Sequence, residues 1–427
     1  MITAGIDDGI GAVVDLAKRD HSSLCAVGIA VQPLSGDGVP FVLLFPSSLP
    51  TVSPPWYASV RLMSLAHHPL AQRLGKALGH WGKRVLGRGL DAVLPTPPNV
   101  PIDAVRDVRR VLIVRSNFRI GNTLIATPLI LALRQRFPGA QLDYLGGDTT
   151  AALLAHLPVD RLHLVSRRFI ARPWQFVALF ARLRRVRYDV AVEAGMGSFS
   201  GGLYTYLTGA RYRVGCGGRA DRFLNVRLPK VHAAHVYDSP LVFARLLGVS
   251  CPDHPVYIVG DDERTAALAL LERLELAAGS AALPFIAVFV GGHQDKRWLA
   301  ARWIELARSL ATSGGRVIVF LGPEEAQLER QYRRELPPTV RVLPPQRLRL
   351  FAALWGAARL IVTPDSGPMH LAAALGVPAI ALLQSDASLI YAPRAPQDRV
   401  LMRPTVAGAV AAVVTHPAWA DTISVVP

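Results

Sequence analysis

The sequence predicts an α/β protein built from two doubly wound, mostly parallel sheets. Short, almost wholly apolar runs such as Val111-Leu-Ile-Val114 and 285–290 have the pattern of strands buried on both faces. Amphipathic stretches of helical length separate them, and the alternation occurs twice, over 110–247 and again over 285–383. With 427 residues, 51% of them hydrophobic, the chain has enough apolar material for two cores.

Residues 1–105 read as an N-terminal extension. It holds apolar runs at 25–31 and 41–45, a loop-like stretch at 47–55, a basic amphipathic helix and a proline-rich linker at 94–101. No chemistry is legible before the linker. Part of this region reads as disordered or as an upstream stretch, 1–62, with Met63 as an internal start. The first sheet domain is expected over 106–258. Its strands are 111–115, 141–145, 162–165, 189–193 and 213–215, with helices at 123–137, 173–186, 202–207 and 235–247; Pro138-Gly139 ends the first helix. The second domain, 259–427, opens with a helix at 263–276. Strands at 285–290, 316–321 and 341–343 then alternate with helices at 300–312, 324–335 and 348–357. The stretch 360–383 reads as strand, sharp turn, short helix, turn and strand.

That last turn concentrates Asp365, Ser366, Gly367 and Pro368, with His370 one helical turn in. Ser366 or Asp365 can cap the helix, Pro368 suits its first turn, and Gly367 admits a close ligand. A helix start with free N–H groups is an anion site, and a diphosphate is the expected guest. Lys296 follows strand 285–290 through Gly291 and Gly292, which places an ammonium at that strand's carboxyl end. Glu324 and Glu325, after strand 316–321, are alternatives for accepting ribose hydroxyls. No Gly-x-Gly-x-x-Gly follows a strand and no P-loop occurs, which argues against nicotinamide enzymes and P-loop kinases.

Three motifs in order resemble the bacterial heptosyltransferase family, the lipopolysaccharide-core glycosyltransferases that use ADP-heptose. They are Val111-Leu-Ile-Val-Arg-Ser-Asn-Phe-Arg-Ile-Gly-Asn-Thr-Leu-Ile-Ala-Thr-Pro128, Gly291-Gly-His-Gln-Asp-Lys-Arg-Trp298 and the 365–370 turn. The resemblance spans 109–386. It implies a GT-B architecture, two Rossmann-like domains facing a central cleft, with acceptor on 106–258 and donor on 259–427. It also implies an inverting, metal-independent reaction without a cofactor, moving a heptose or related sugar from an ADP-sugar to a lipopolysaccharide-core type acceptor. The family's lysine at the position of Lys296 contacts the donor phosphates, with Gly291 and Gly292 permitting close backbone approach and Arg297 and Trp298 supporting the loop. Its ribose-binding glutamate falls on Glu324 or Glu325. Asp365 is expected to serve sugar hydroxyls or the helix cap, and Ser366, Gly367 and His370 the diphosphate or the sugar.

The first motif departs from the family pattern. The family loop ends in Gly-Asp, and that aspartate is the expected general base; this chain has Gly121-Asn122 in a loop one residue longer. An amide cannot take up a proton at neutral pH. Glu193, at the end of strand 189–193, is the expected substitute base, with Asn122 orienting the acceptor, Gly121 beside it in the acceptor site and Arg119 binding an acceptor phosphate or carboxylate. The alternative reading is a non-catalytic sugar-nucleotide or glycolipid-binding protein.

A net charge of +16 calls for anionic partners. Lysine stands only at Lys18, Lys76, Lys83, Lys230 and Lys296, so arginine carries most of the charge. One cluster includes Arg73, Lys76, Lys83, Arg84 and Arg88; the other runs from Arg167 to Arg187 among Phe169, Trp174, Phe176 and Phe180. Basic residues beside aromatics suit a membrane surface or a phosphorylated amphiphile. The expected partners are thus an ADP-sugar donor, an anionic lipid-linked saccharide and the inner-membrane surface. No nucleic-acid motif occurs, and nucleic acid is not an expected partner. No apolar run is long enough to span a bilayer, and the first residues lack a signal-peptide layout. Cys25, Cys216 and Cys251 lie far apart without metal-ligand spacing. The expectation is a cytoplasmic protein, peripheral on the inner face of the membrane.

Overall fold

The computed structural model describes residues 94–423 apart from Ser116, 167–171, Met196, Arg219, 230–233 and 293–295, together with strands 27–30 and 43–46. The chain divides into two compact units, Met1–Gly89 and Leu90–Pro427. In the first, β1 (Val27–Ala30) pairs antiparallel with β2 (Leu43–Pro46). The basic helix expected over 73–88 lies outside the described residues.

The second unit carries both sheets. Its first half runs β3 (Arg110–Arg115), α1 (Ile120–Ile125), α2 (Thr127–Arg136), β4 (Gln141–Gly147) and β5 (Arg161–Val165). It continues through α3 (Pro173–Val186), β6 (Val190–Glu193), α4 (Phe199–Leu207), β7 (Tyr212–Cys216), β8 (Val226–Leu228) and α5 (Asp238–Leu246). After α6 (Asp261–Arg273) and the small hairpin β9 (Ala277–Ala278) and β10 (Ala281–Ala282), the second half restarts. It runs β11 (Ile286–Phe289), α7 (Ala300–Thr312), β12 (Val317–Phe320), α8 (Glu329–Glu335), β13 (Val340–Leu343) and α9 (Leu348–Gly356). Then come β14 (Leu360–Pro364), α10 (Gly367–Leu375), β15 (Ala379–Leu383), β16 (Arg399–Met402), α11 (Val406–Val414) and α12 (Pro417–Ile423).

Both sheets are parallel and have one topology, β5-β4-β3-β6-β7-β8 and β13-β12-β11-β14-β15-β16. Each is a doubly wound sheet whose order reverses at its first strand. The central strands are largely apolar because helices cover both faces: Val111 to Val114 and Leu360 to Val362 are fully buried. Burying such a side chain stabilises the fold by roughly 1.5–3 kcal/mol. One face of the second sheet carries an aromatic cluster of Phe289, Phe320, Phe351 and Trp355, with ring centroids 4.9–6.2 Å apart. Leu124 of α1 and Leu153 join that cluster, so the two halves share core.

The helix expected over 123–137 is two helices. Pro128 lies in the first turn of α2 and has no N–H to continue the ladder, so the chain breaks at Ala126, where the Thr127 hydroxyl donates to Leu124 O at 2.7 Å. The proline-rich segment packs along β8: Val100 N donates to Asn225 O at 2.7 Å and Arg227 N to the Asn99 side-chain oxygen at 2.8 Å. The 324–335 helix shortens to α8 after a 3-10 turn at Ala326–Leu328.

Candidate active site

The strand order reverses between β3 and β6 in one sheet and between β11 and β14 in the other. Ligands in doubly wound sheets bind outside the carboxyl ends of the strands at such points. The first two strands end at Arg115 and Glu193, and the loops after the second two lead to Lys296 and Asp365.

Beyond β11 and β12, two glycine-bearing loops close on one carboxylate. A Cβ on Gly291 would lie 2.6 Å from Glu325 Oε2, and one on Gly322 would lie 2.5 Å from it. Glu325 is almost fully buried and accepts a hydrogen bond from the Gly292 amide. Its Oε1 meets Arg297 Nη2 at 2.6 Å, off the N–H direction, while Arg297 Nε donates to Gly292 O at 2.8 Å. Burial pushes this carboxyl up, and Arg297 partly offsets the push. Glu325 is therefore a loop clamp. Glu324 stays exposed, with Arg297 Nη2 at 2.8 Å from its Oε2, and is the glutamate turned to solvent.

Lys296 and Asp365 form the charged centre. Nζ lies 2.5 Å from Asp365 Oδ2 and 5.6 Å from the Tyr391 ring centroid. Asp365 is buried, whereas the lysine is one-third exposed. The expected cap of α10 is absent. Asp365 is taken up by Lys296, and Ser366, at the N-cap position with extended backbone, makes no capping bond; its Oγ lies 3.3 Å from Thr363 Oγ1. Pro368 has no N–H and Met369 N donates to Ser366 O at 3.1 Å, so the Gly367 amide and the positive end of the helix are what α10 offers an anion beside the ammonium.

Helix α1 packs against α10 and brings the first and third motifs together. Gly121 permits the contact, since a Cβ there would lie 2.5 Å from His370 Cδ2; a Cβ on Gly367 would lie 3.1 Å from Ile120 Cβ. His370 is buried, and its Nδ1 lies 2.8 Å from the Tyr237 hydroxyl. Burial lowers His370 from the usual 6.5 to about 4, against the pull of Asp365 and with help from His235 and Lys296. Burial also raises the Tyr237 phenol, so the hydroxyl keeps its proton and donates it to Nδ1 of a neutral ring. The ring's own proton is then on Nε2, on the Gly121 side. Around this pair, Val236 N donates to Ile390 O at 3.0 Å, His235 Nε2 meets Ala392 O at 2.8 Å, and Arg394 pairs with Asp238 at 2.6 Å.

This histidine gives the fold an acid limit. The unfolded chain binds the proton from about pH 6.5 downward, whereas the folded chain binds it only near pH 4. Stability is thus lost as pH falls through that window, by an amount of the order of 3 kcal/mol at its lower end. Melting temperatures of the parent and His370→Gln across pH 4–7 check this: the variant should show the shallower acid slope.

On the first sheet's side lies a cavity of about 150 Å³ lined by Arg115, Asn122, Gly195, Ser239, Phe243 and Tyr391, among others. Arg115 is fixed by two carbonyls, Nε donating to Asn122 O at 3.2 Å and Nη1 to Ala194 O at 2.7 Å; burial lowers its pKa, opposed by nearby Tyr144 and Glu193. Tyr391 lines this cavity and also meets Lys296, so it spans both sides of the site. The expectation for Glu193 requires correction. Its carboxylate is fully buried and accepts from Gly195 N and Gly197 N, each at 2.8 Å, and from Ser198 Oγ at 3.1 Å. A Cβ at Gly195 or Gly201 would collide with its Oε1, so both positions need glycine. Three donors occupy an oxygen pair with no solvent face, and Glu193 organises the loop instead of facing the cavity. Arg119 is exposed at the N-cap of α1 and does not line the cavity.

The expected residues Gly291, Gly292, Lys296, Glu324, Asp365, Ser366, Gly367 and His370 thus lie on the second sheet's side, Gly121 meets His370 from α1, and Asn122 lines the first-sheet cavity. Sequence reasoning missed Arg115, Tyr237 and Tyr391. Arg115 had a signal, since it closes the apolar strand of the first motif; the two tyrosines, in irregular segments, had none.

The model of glycosyltransferase family 9 (heptosyltransferase) matches residues 176–408. The lipopolysaccharide core heptosyltransferase OpsX of Haemophilus influenzae is 23% identical over 295 residues, 66% of this chain and 81% of that protein. Lipopolysaccharide heptosyltransferase 1 of Pseudomonas aeruginosa is 28% identical over 291 residues, 64% of this chain and 78% of that one. Among solved structures, Escherichia coli heptosyltransferase WaaC with ADP is 25% identical with a TM-score of 0.57, covering 71% of this chain and 97% of its own. The family 9 glycosyltransferase of Veillonella parvula gives a TM-score of 0.61 at 20% identity, over 69% and 86% of the two chains. The two six-stranded sheets are those of the GT-B fold. The family match covers more than half of the chain, and the chain belongs to glycosyltransferase family 9, the heptosyltransferases, as a glycosyltransferase.

Proposed function

We propose that this enzyme moves a heptose, or a closely related sugar, from its ADP-sugar to a lipopolysaccharide-core acceptor, with inversion at the anomeric carbon and without a metal. The observation that carries the reading is the Lys296–Asp365 pair beside the uncapped start of α10, facing α1 across Gly121. Asp365 holds the ammonium in place before substrate arrives. As the sugar–phosphate bond breaks, charge grows on the departing diphosphate, and Lys296 with the Gly367 amide at the start of α10 meets it without reorganisation. Neutral His370 supplies an Nε2–H on the same side, and exposed Glu324 suits the ribose hydroxyls. Relatives named as lipopolysaccharide heptosyltransferases support the acceptor class, and a WaaC structure described with ADP-2-deoxy-2-fluoro heptose supports the donor. The acceptor belongs in the Arg115–Asn122 cavity, and the enzyme at the cytoplasmic face of the inner membrane. No helix among the described residues is long and apolar enough to cross it.

Titration with a panel of nucleotides and nucleotide sugars tests the donor site. ADP and ADP-heptose should bind more tightly than their UDP and GDP counterparts, and equal affinities would refute the adenine-nucleotide assignment. Turnover should persist in EDTA, because the leaving charge already has Lys296 and the start of α10. Among the described residues no group of three His, Cys, Asp or Glu side chains is placed to hold a metal ion. Loss of turnover restored by Mg²⁺ or Mn²⁺ would overturn the metal-independent mechanism.

One observation favours a second reading. The cavity lining includes no carboxylate, so no described side chain there is a base for the acceptor hydroxyl. Asn122→Asp restores one beside Arg115, whose charge keeps it ionised. Turnover should rise roughly ten- to hundredfold, within the range general-base catalysis contributes. If the parent is inactive and only the variant turns over, the natural chain is a binding protein that has lost its chemistry.

A further inference from the structure

We infer that α3 is the face by which this protein docks on an anionic lipid bilayer. Between Asp160 and Asp189 the sequence holds no aspartate or glutamate but carries arginine at 161, 167, 168, 172, 182, 184, 185 and 187. In α3, Leu179, Phe180 and Leu183 bury one side against the first sheet. The opposite side keeps Trp174 64% and Val177 66% exposed. Three residues apart on one face, they stand side by side as a contiguous apolar spot instead of single scattered residues. Trp174, Ala178, Ala181 and Arg185 follow one another at spacings of four, three and four, one line along the helix, with Val177 and Arg182 flanking it. Arg182 and Arg185 are exposed and form no ion pair with another described residue, whereas Arg184 donates to Leu207 O at 3.0 Å. An indole among unpaired guanidiniums, with no carboxylate between them, matches the interface of an anionic bilayer: the ring enters the headgroup layer and the arginines pair with phosphates.

The placement has a consequence. β5 runs parallel to β3 and β6, so the chain leaves β5 at the sheet edge where Arg115 and Glu193 stand, and α3 begins there. Trp174 therefore lies at the cleft-side end of α3. Docking on this helix sets the bilayer beside the acceptor cavity, where a lipid-linked acceptor has to enter. This consequence rests on the acceptor reading above; the docking itself rests on α3.

The test uses the full chain, with sedimentation on phosphatidylcholine vesicles with and without phosphatidylglycerol. The parent should bind the anionic vesicles and release as salt rises from ~0.1 M, where screening sets in over about 10 Å. Arg182→Gln with Arg185→Gln should weaken binding roughly 20-fold, given about fivefold per surface arginine. Trp174→Gln with Val177→Gln should remove the salt-resistant part of the binding. Both variants should turn over a lipid-free acceptor like the parent, and lose rate only on acceptor embedded in vesicles. Unchanged sedimentation by both variants overturns the proposal. So does loss of rate on the lipid-free acceptor with vesicle binding intact, which would make α3 a saccharide contact. A parent that binds vesicles through α3 but transfers no sugar leaves the docking face standing and removes the donor and acceptor reading instead.

Discussion

Lys296→Ala should lower turnover by roughly two to three orders of magnitude, the scale on which removal of one preorganised charge-stabilising donor acts. Two losses combine. The ammonium that meets the leaving diphosphate disappears, and Asp365, buried and 2.5 Å from the former Nζ, is left as an uncompensated carboxylate beside the incoming phosphates. An unpaired buried charge is itself costly, so nucleotide affinity should fall together with the rate. Lys296→Ala with Asp365→Asn removes the second loss and should recover part of the ADP affinity while leaving the rate low. Calorimetric titration with ADP and steady-state kinetics on the three proteins separate the two contributions. Unchanged ADP affinity in Lys296→Ala would place the diphosphate elsewhere.

Glu193→Ala should be the most destabilising single change at the site. The carboxylate satisfies two loop amides and the Ser198 hydroxyl inside the fold, and its charge offsets that of buried Arg115. Deleting one member of such a buried charge arrangement costs about 3–5 kcal/mol. At roughly 2–4 °C per kcal/mol, the melting temperature should fall by about 10 °C. Glu193→Gln keeps the shape but turns an N–H donor toward other donors, so it too should melt earlier. A residue that served only as a base would behave differently: Glu193→Gln would lose turnover with no change in melting. Differential scanning fluorimetry beside kinetics on both variants distinguishes these outcomes.

Much of the fold was legible because both sheets are buried on both faces. Their central strands are largely apolar, and α3 and α7 stand at the very residues where helical periodicity put them. What escaped had weaker local signals. β8 is three residues long, and β16 lies at a sheet edge with every residue half-buried, so neither shows the apolar run of an interior strand. The break at Ala126 was marked by Pro128, but the periodicity on either side hid it. At the site, the residues proposed to face the phosphates were legible because helix starts and glycine loops have local chemistry. Glu324 and Glu325 were indistinguishable in sequence, and only the packing of Gly291 and Gly322 separates the clamp from the exposed residue. Glu193 misled for a related reason. A strand end at the switch point faces the cleft, yet the Gly195 and Gly197 amides and the Ser198 hydroxyl hold the carboxylate inward.

The measurement that bears most directly on the reading is product formation by the purified full chain. ADP-heptose and a heptose-free lipopolysaccharide core would be incubated in EDTA, with ADP release and acceptor mass followed together. The account predicts ADP released in step with acceptor that is heavier by one heptose, and both signals lost in Lys296→Ala. Tight binding of ADP-heptose with no ADP release and no change in acceptor mass would contradict it.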